Sequence, residues 1–344
     1  MKFRNYLALI ATLLICVACP NDDDDDDFIT VELRDRGEQS ITDDALILEY
    51  LETHFYNYEE FENPPADFDF KVVINEIDED NSDKTPIIDR PELTTKTYIR
   101  SDALQTLYIL NARQGDSQAP PATIADSTFL TYDGFTVTDN SFFDTAPNPI
   151  WFDLTTTVDG FTNGVADFRG SEAGGVIGPD GTTSFEGFGS GAIFIPSGLG
   201  FFNSTAGGTI DAYSNLIFVF NILNVVRSDH DDDGIFSIDE DLDNNGFLFD
   251  DLDNPDEDIL SAYLDSDDDN DGIETNLEIV TDENDDFVSS LDTDGDGLPN
   301  HLDDDDDGDG RATLDEIRIN ATTGVVIFPD EDEDGIPDYL DSDS

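Results

Sequence analysis

The last third of this chain cannot fold as ordinary globular sequence does. Residues 229 to 344 hold 44 of the 82 acidic residues against two basic ones, Arg311 and Arg318. Like charges at that density oppose any compact state, and few apolar residues lie between the acidic stretches to make an ordinary core. Such a segment either stays extended or is drawn together by cations. Its spacing favours the second course. The pattern D-x-D-x-D-G, or a close variant, starts at Asp229, Asp241, Asp267, Asp292, Asp305 and Asp330, with Gly234, Gly246, Gly272, Gly297, Gly310 and Gly335 in sixth place. An apolar residue follows most of these glycines (Ile235, Phe247, Ile273, Leu298, Ile336), and Arg311 is the exception.

Carboxylates at the first, third and fifth positions of a tight loop converge on one hard cation, and a sixth-position glycine allows the sharp turn. The candidate ligands are Asp229, Asp231 and Asp233; Asp241, Asp243 and Asn245; Asp267, Asp269 and Asp271; Asp292, Asp294 and Asp296; Asp305, Asp307 and Asp309; and Asp330, Asp332 and Asp334. Glu240, Glu278 and Glu316 stand at position twelve, which matches the bidentate ligand of an EF-hand loop. The other loops, such as DEDEDGIPDYLD, resemble thrombospondin type 3 repeats, in which the next Asp-rich unit completes the site. Residues 228–344 are therefore expected to be an irregular array of loops stiffened by structural Ca2+.

A net charge of −68 makes nucleic acid an unsuitable partner. Lys2 and Arg4, an apolar run from Tyr6 to Ala18, and then Cys19 read as a secretory signal too short to span a bilayer. Residues 1–18 resemble the signal of a bacterial lipoprotein, with Cys16 in place of the usual Leu, and this implies lipidation of Cys19. Residues 19–27 then resemble the acidic tether of Bacteroidetes-type lipoproteins, which implies a lipid-anchored protein exposed on the outer membrane. Both cysteines lie in this region, so the mature protein is expected to form no internal disulfide.

Residues 28–100 read as a lead-in that packs on the next domain. Ser40 to Phe61 has helical spacing at Leu46, Leu48, Leu51, Phe55 and Tyr58, with Thr42 as N-cap candidate and Pro64 and Pro65 as the stop. The following DFKVVINEI alternates like a strand. Leu104–Arg113 reads as a strand expected to pair with STFLTYDGFTV. Gly170 to Gly191 reads as a flexible loop, and its GFGSG lacks the βαβ context of a phosphate loop.

Between Ser127 and Val225 the segments STFLTYDGF, FFDT, WFDLTTTVDGFTNG, GAIFIPSGLGFF and SNLIFVFNILNV follow one another. That order resembles the FKBP-type peptidyl-prolyl cis-trans isomerases over about 100 residues. The resemblance implies an α+β domain over 101–227, with an antiparallel half-barrel sheet wrapped on a short helix, and proline-containing polypeptides as substrates. It places the pocket on Tyr132, Phe143, Phe152, Val158, Phe161, Phe201, Ile210 and Phe218, with Asp144 beside the substrate carbonyl and the Val158 N–H as a donor to substrate. Phe161 replaces the family's usual Trp, and Phe201 a Tyr whose hydroxyl binds substrate. No cofactor is expected for catalysis, and a monomer is expected. A non-catalytic peptide-binding or adhesion protein with a calcium-stiffened stalk is the alternative. Three widely separated histidines (His54, His230, His301) and the absence of G-x-S-x-G give little support to zinc or serine hydrolase chemistry.

Overall fold

The computed structural model describes residues 32–172, 175–283, 287–320 and 322–343. The first helix, α1 (Arg36–Thr53), starts earlier than its apolar spacing suggests. Asp35 is the N-cap and accepts from the Glu38 N–H at 2.9 Å. Thr42 lies inside the helix, where its hydroxyl bonds back to the Glu38 carbonyl at 3.0 Å. The helix also ends earlier. His54–Tyr56 is extended and pairs with Ile74–Glu76, which leaves Tyr56 buried from a strand instead of a helix.

Six strands form one antiparallel sheet: β1 (Leu93–Arg100), β2 (Ala103–Arg113), β3 (Ser127–Thr136), β4 (Phe142–Asp153), β5 (Gly189–Ile195) and β6 (Leu216–Val226). Their order is β1-β2-β5-β6-β3-β4. The sheet thus takes β1 from the lead-in, and the fold is α+β. β2 does not pair with β3, contrary to the sequence expectation, because β5 and β6 lie between them. The reason is burial. All seven residues of β5 are buried, and so are the first five of β6, and strands covered on both faces belong at the centre of a sheet. For the same reason Gly189–Gly191, read as loop, is part of the central ladder.

Alternation along the strands makes two apolar faces. Ile109, Ile193, Ile195, Phe218 and Phe220 point to the side that holds the short helix α2 (Asp159–Val165). Leu110, Phe194, Ile217 and Val219 point to the other side, which Ile47, Tyr50 and Leu51 of α1 cover. A buried carboxylate locks α1 in place: Asp43 Oδ2 accepts from the Ser197 N–H at 3.0 Å and the Ser197 hydroxyl at 2.6 Å, and Oδ1 accepts from Gln39 at 2.6 Å. Burial pushes its carboxyl above the ordinary value, and these hydrogen bonds pull against that shift.

The few apolar residues of the acidic third do find core contacts. Phe247 is buried in the same cluster as Phe161 and Leu154, and Leu248 and Tyr263 pack with Ile124, Ala125 and Ala166 of the sheet domain. Further along, Ile273, Ile317 and Tyr339 form a small cluster of their own.

Candidate functional site

Two arrangements of functional groups stand out, one on the α2 side of the sheet and one along the acidic third. On the sheet, β3 and β6 bring Tyr132 and Phe218 together with ring centroids 5.7 Å apart. β4 adds Phe143, 5.4 Å from Phe218, and Phe152, 5.6 Å from Tyr132. α2 raises Phe161 from beneath to 5.0 Å from Phe218 and 6.0 Å from Phe152. This approach depends on glycine. A Cβ on Gly160 would lie 2.2 Å from Ile195 Cγ2, and one on Gly164 2.6 Å from Ile193 Cγ2, so the helix sits on the sheet only because these positions have no side chain. Val158, Phe201 and Ile210 pack against the same cluster.

All eight apolar residues of the sequence-derived pocket therefore meet in one place. Phe161, Ile210 and Phe218 are buried, while Tyr132, Phe143, Phe152, Val158 and Phe201 are half-buried, so the cluster has a floor and reaches the surface. Asp144 is exposed at its edge and accepts from the Tyr132 hydroxyl at 2.5 Å. Burial, and then this carboxylate, push the Tyr132 phenol above its usual range, so the hydroxyl stays a donor. The Val158 N–H precedes α2 and has no acceptor among the described residues. Apart from the Tyr132 hydroxyl, the side chains that meet in the cluster are apolar, and the carboxylate stands at its edge. The site presents half-buried rings towards the surface, with the Tyr132 hydroxyl and the Asp144 carboxylate at their edge.

In the acidic third the loops share one hydrogen-bond scheme. Asp229 accepts from Gly234 N at 3.2 Å, Asp231 from Asp233 N at 3.3 Å and Asp233 from Ile235 N at 2.7 Å. The loop from Asp305 repeats it through Gly310, Asp309 and Arg311 at 3.0, 3.1 and 2.7 Å. Each bond occupies one oxygen of a carboxylate. Asp231 Oδ2, Asp233 Oδ2 and both oxygens of Glu240 are buried without a hydrogen-bond partner. Into this group comes Asp268, 3% exposed, with both oxygens equally unpartnered, and ligand oxygens of Asp233, Glu240 and Asp268 lie within 4.8 Å of one another.

Asp268 is the second residue of the loop from Asp267, a position that the sequence pattern did not single out. Asp306 stands in the same relation to Asp271 and Glu278. Similarly, Asp253 joins Asp241 and Asp243, and Asp256, Asp258 and Asp265 make a group of their own. A longer period was the overlooked signal. Asp229, Asp267 and Asp305 are 38 residues apart, as are Glu240, Glu278 and Glu316, and Tyr263, His301 and Tyr339. Loops whose twelfth residue is not Glu differ. At Asn245 the same bond, from Phe247 N at 2.8 Å, uses the amide's one oxygen and leaves none over, and Asp292, Asp294, Asp296, Asp330, Asp332 and Asp334 are exposed.

Electrostatics test whether a cation suits these residues. Burial first, and then neighbouring aspartates, push Glu240 up to about 10, Asp268 to about 9 and Asp231 to about 8. Around the next loop Glu278 rises to about 11 and Asp269 to about 8 by the same causes. Clustered, buried, orphaned hard oxygens of this kind fit Ca2+. The loop at Asp305 is distinct, because Arg311 places Nη1 2.8 Å from Glu316 Oε1 and supplies a positive charge of its own.

Among the described residues no helix is long and apolar enough to cross a membrane. Cys19 and the acidic tether lie outside the described residues. No family model and no curated protein matches the chain. Among solved structures it is similar to a peptidyl-prolyl cis-trans isomerase from Pseudomonas syringae pv. tomato, at 18% identity and a TM-score of 0.30, over 40% of this chain and 84% of that one. It is also similar to FkpA from Escherichia coli, at 20% identity and a TM-score of 0.29, over 40% of this chain and 53% of that one.

Proposed function

We propose that the aromatic cluster is an FKBP-type prolyl-peptide site and that the protein isomerises X-Pro bonds of polypeptides outside the cytoplasm. The observation that carries this reading is the meeting of eight apolar side chains from separate segments at one surface-reaching cluster edged by Asp144. Rotation about an X-Pro bond breaks amide resonance, against a barrier of about 18–20 kcal/mol, and no bond to a side chain is needed. A site poor in water disfavours the charge-separated planar amide relative to the twisted one. In this reading Phe161, Phe218 and Ile210 floor the proline pocket, Tyr132, Phe143, Phe152 and Phe201 wall it, and the Val158 N–H binds a substrate carbonyl. Asp144 faces the carbonyl of the rotating bond.

The acidic third is in the same proposal a Ca2+-stiffened extension, held chiefly by Asp231, Asp233, Glu240 and Asp268 and by Asp267, Asp269, Asp271, Glu278 and Asp306. When bound, the ions supply the charge that lets these carboxylates stay close. The chain acts as a monomer tethered through a lipid on Cys19 to the outer membrane, on the cell surface. A proline-containing tetrapeptide assay tests the catalytic step. Wild type should accelerate exchange and Asp144→Ala should be slower, and no acceleration by a wild type with a native circular dichroism spectrum refutes it.

Phe201 favours a second reading, a peptide-binding adhesion or scaffold protein without turnover. Its ring keeps the wall but lacks the hydroxyl that the resemblance calls for. Affinity measured beside exchange rate separates the two, since a binder holds prolyl peptides without speeding their exchange.

A further inference from the structure

The loop from Asp241 to Gly246 is not part of a detached stalk. Phe247, which follows it, is 8% exposed and packs in the cluster that contains Phe161 and Leu154. The Tyr98 ring meets it edge-on at 5.7 Å, and the Arg100 guanidinium lies 4.6 Å over it. Arg100 also pairs with Asp159 at 2.8 Å, on the first residue of α2. Asn163 of the same helix is 3% exposed, and its Nδ2 donates both to the Gly246 carbonyl and to the Asp159 carbonyl at 3.1 Å. The loop and α2 are therefore joined by the Asn163 amide, by an arginine of β1 that lies over Phe247 and pairs with Asp159, and by Phe247 itself in the shared core.

The loop also has the makings of a cation site. Asp241, Asp243 and Asp253 each bring a carboxylate oxygen within 4.8 Å of the others. Asp253 is fully buried. Its Oδ1 accepts from Leu242 N at 2.7 Å, and its Oδ2 has no hydrogen-bond partner. Asp241 Oδ2 accepts from Gly246 N at 3.2 Å, and Gly246 is the residue whose carbonyl Asn163 holds. The path from the carboxylates to the helix is thus two hydrogen bonds long.

We infer that a calcium ion bound by Asp241, Asp243 and Asp253 orders the Gly246–Phe247 turn and, through Asn163, fixes α2 under the aromatic site. The effect on peptide rests on the prolyl-peptide reading; the effect on α2 does not. In this arrangement Asn163 and Phe247 are positioning residues. They touch no substrate, and they set how firmly Phe161 and Val158 are presented. Calcium becomes a condition for tight peptide binding, and the site works in a calcium-replete exterior.

The test uses the full chain with calcium alone as ligand, comparing calcium with chelator. Hydrogen exchange of residues 158–165 should slow in calcium for wild type, and this response should be lost in Asp253→Asn. Affinity for a fluorescent prolyl peptide should rise at least about five-fold in calcium, the low end of usual coupling between two sites. Asn163→Ala, which leaves the carboxylates in place, should bind calcium yet lose most of the rise in affinity, with the effect in KM more than in kcat. Equal exchange of 158–165 in wild type with calcium and with chelator overturns the inference. Absence of peptide binding in both conditions, with exchange still responding to calcium, instead sinks the prolyl-peptide reading.

Discussion

Removal of divalent cations should loosen the acidic third in a manner that depends on pH with a particular sign. Asp269 shows why. It is 9% exposed, and burial, with Asp271, Asp267 and Asp306 around it, pushes it from 3.8 up to about 8. One pKa unit is worth about 1.4 kcal/mol, so holding this group ionised in the compact state at pH 8 or above costs roughly 6 kcal/mol relative to the unfolded chain. A whole domain is stable by about 5–15 kcal/mol. Glu240 and Glu278 are displaced further still. Without ions, the compact array cannot carry several such groups in their charged form.

The sign follows from proton binding. These folded-state values lie above the unfolded ones, so between pH 3.8 and about 8 the compact state binds more protons than the unfolded chain. Cation-free stability therefore rises as pH falls through the folded values and is lost as pH climbs past them. With calcium the sign reverses, because protons compete for the ligands. Hydrogen exchange of residues 267–278 and 305–316, in buffer freed of metal on a chelating resin, should be fast at pH 8.5 and slower at pH 5.5 after correction for intrinsic rates. Calcium should protect strongly at pH 8.5 and weakly at pH 5.5. Equal protection at both pH values without metal, or greater protection at pH 8.5, refutes the reasoning.

Other perturbations address single contacts. Phe201→Tyr should raise kcat/KM by up to about ten-fold in the tetrapeptide assay, since one added hydrogen bond is worth about 0.5–1.5 kcal/mol. Asp43→Ala strips the Ser197 hydroxyl and Gln39 of their buried acceptor and should cost about 2–4 kcal/mol in denaturant unfolding; an unchanged midpoint would show that α1 is not locked there. Arg311→Ile should tighten calcium binding at the Asp305 loop in calorimetry, because it frees Glu316 from its ion pair. Gly160→Ala should slow isomerisation, as its methyl group would force α2 away from Ile195.

How much of this was legible in the sequence depends on the range of the forces involved. The aromatic site was readable because strand alternation puts Tyr132 and Gly134 on one side of β3, and Phe218 and Phe220 on one side of β6, from local order alone. Strand adjacency was not readable in the same way. Which strand sits between β2 and β3 depends on which strands find cover on both faces, and the cover is α1 and α2, both remote in sequence. Asp35 and Thr42 are both residue types that cap helices, and the helix starts from the stronger of the two, Asp35.

The carboxylates at positions one, three and five were legible because a single loop supplies them. Asp253, Asp268 and Asp306 were not, since each enters from beyond the loop that it completes and is lost among acidic neighbours. The 38-residue period would have marked the last two. Phe247 carries the same lesson further. As the apolar residue after a sixth-position glycine it looked like Ile235 or Ile273, yet it packs in the core of the sheet domain. In the proposed reading a cation orders this loop, and without the ion the loop and the core that holds its phenylalanine lose their order together. Side-chain packing therefore continues across the change in composition near Arg227.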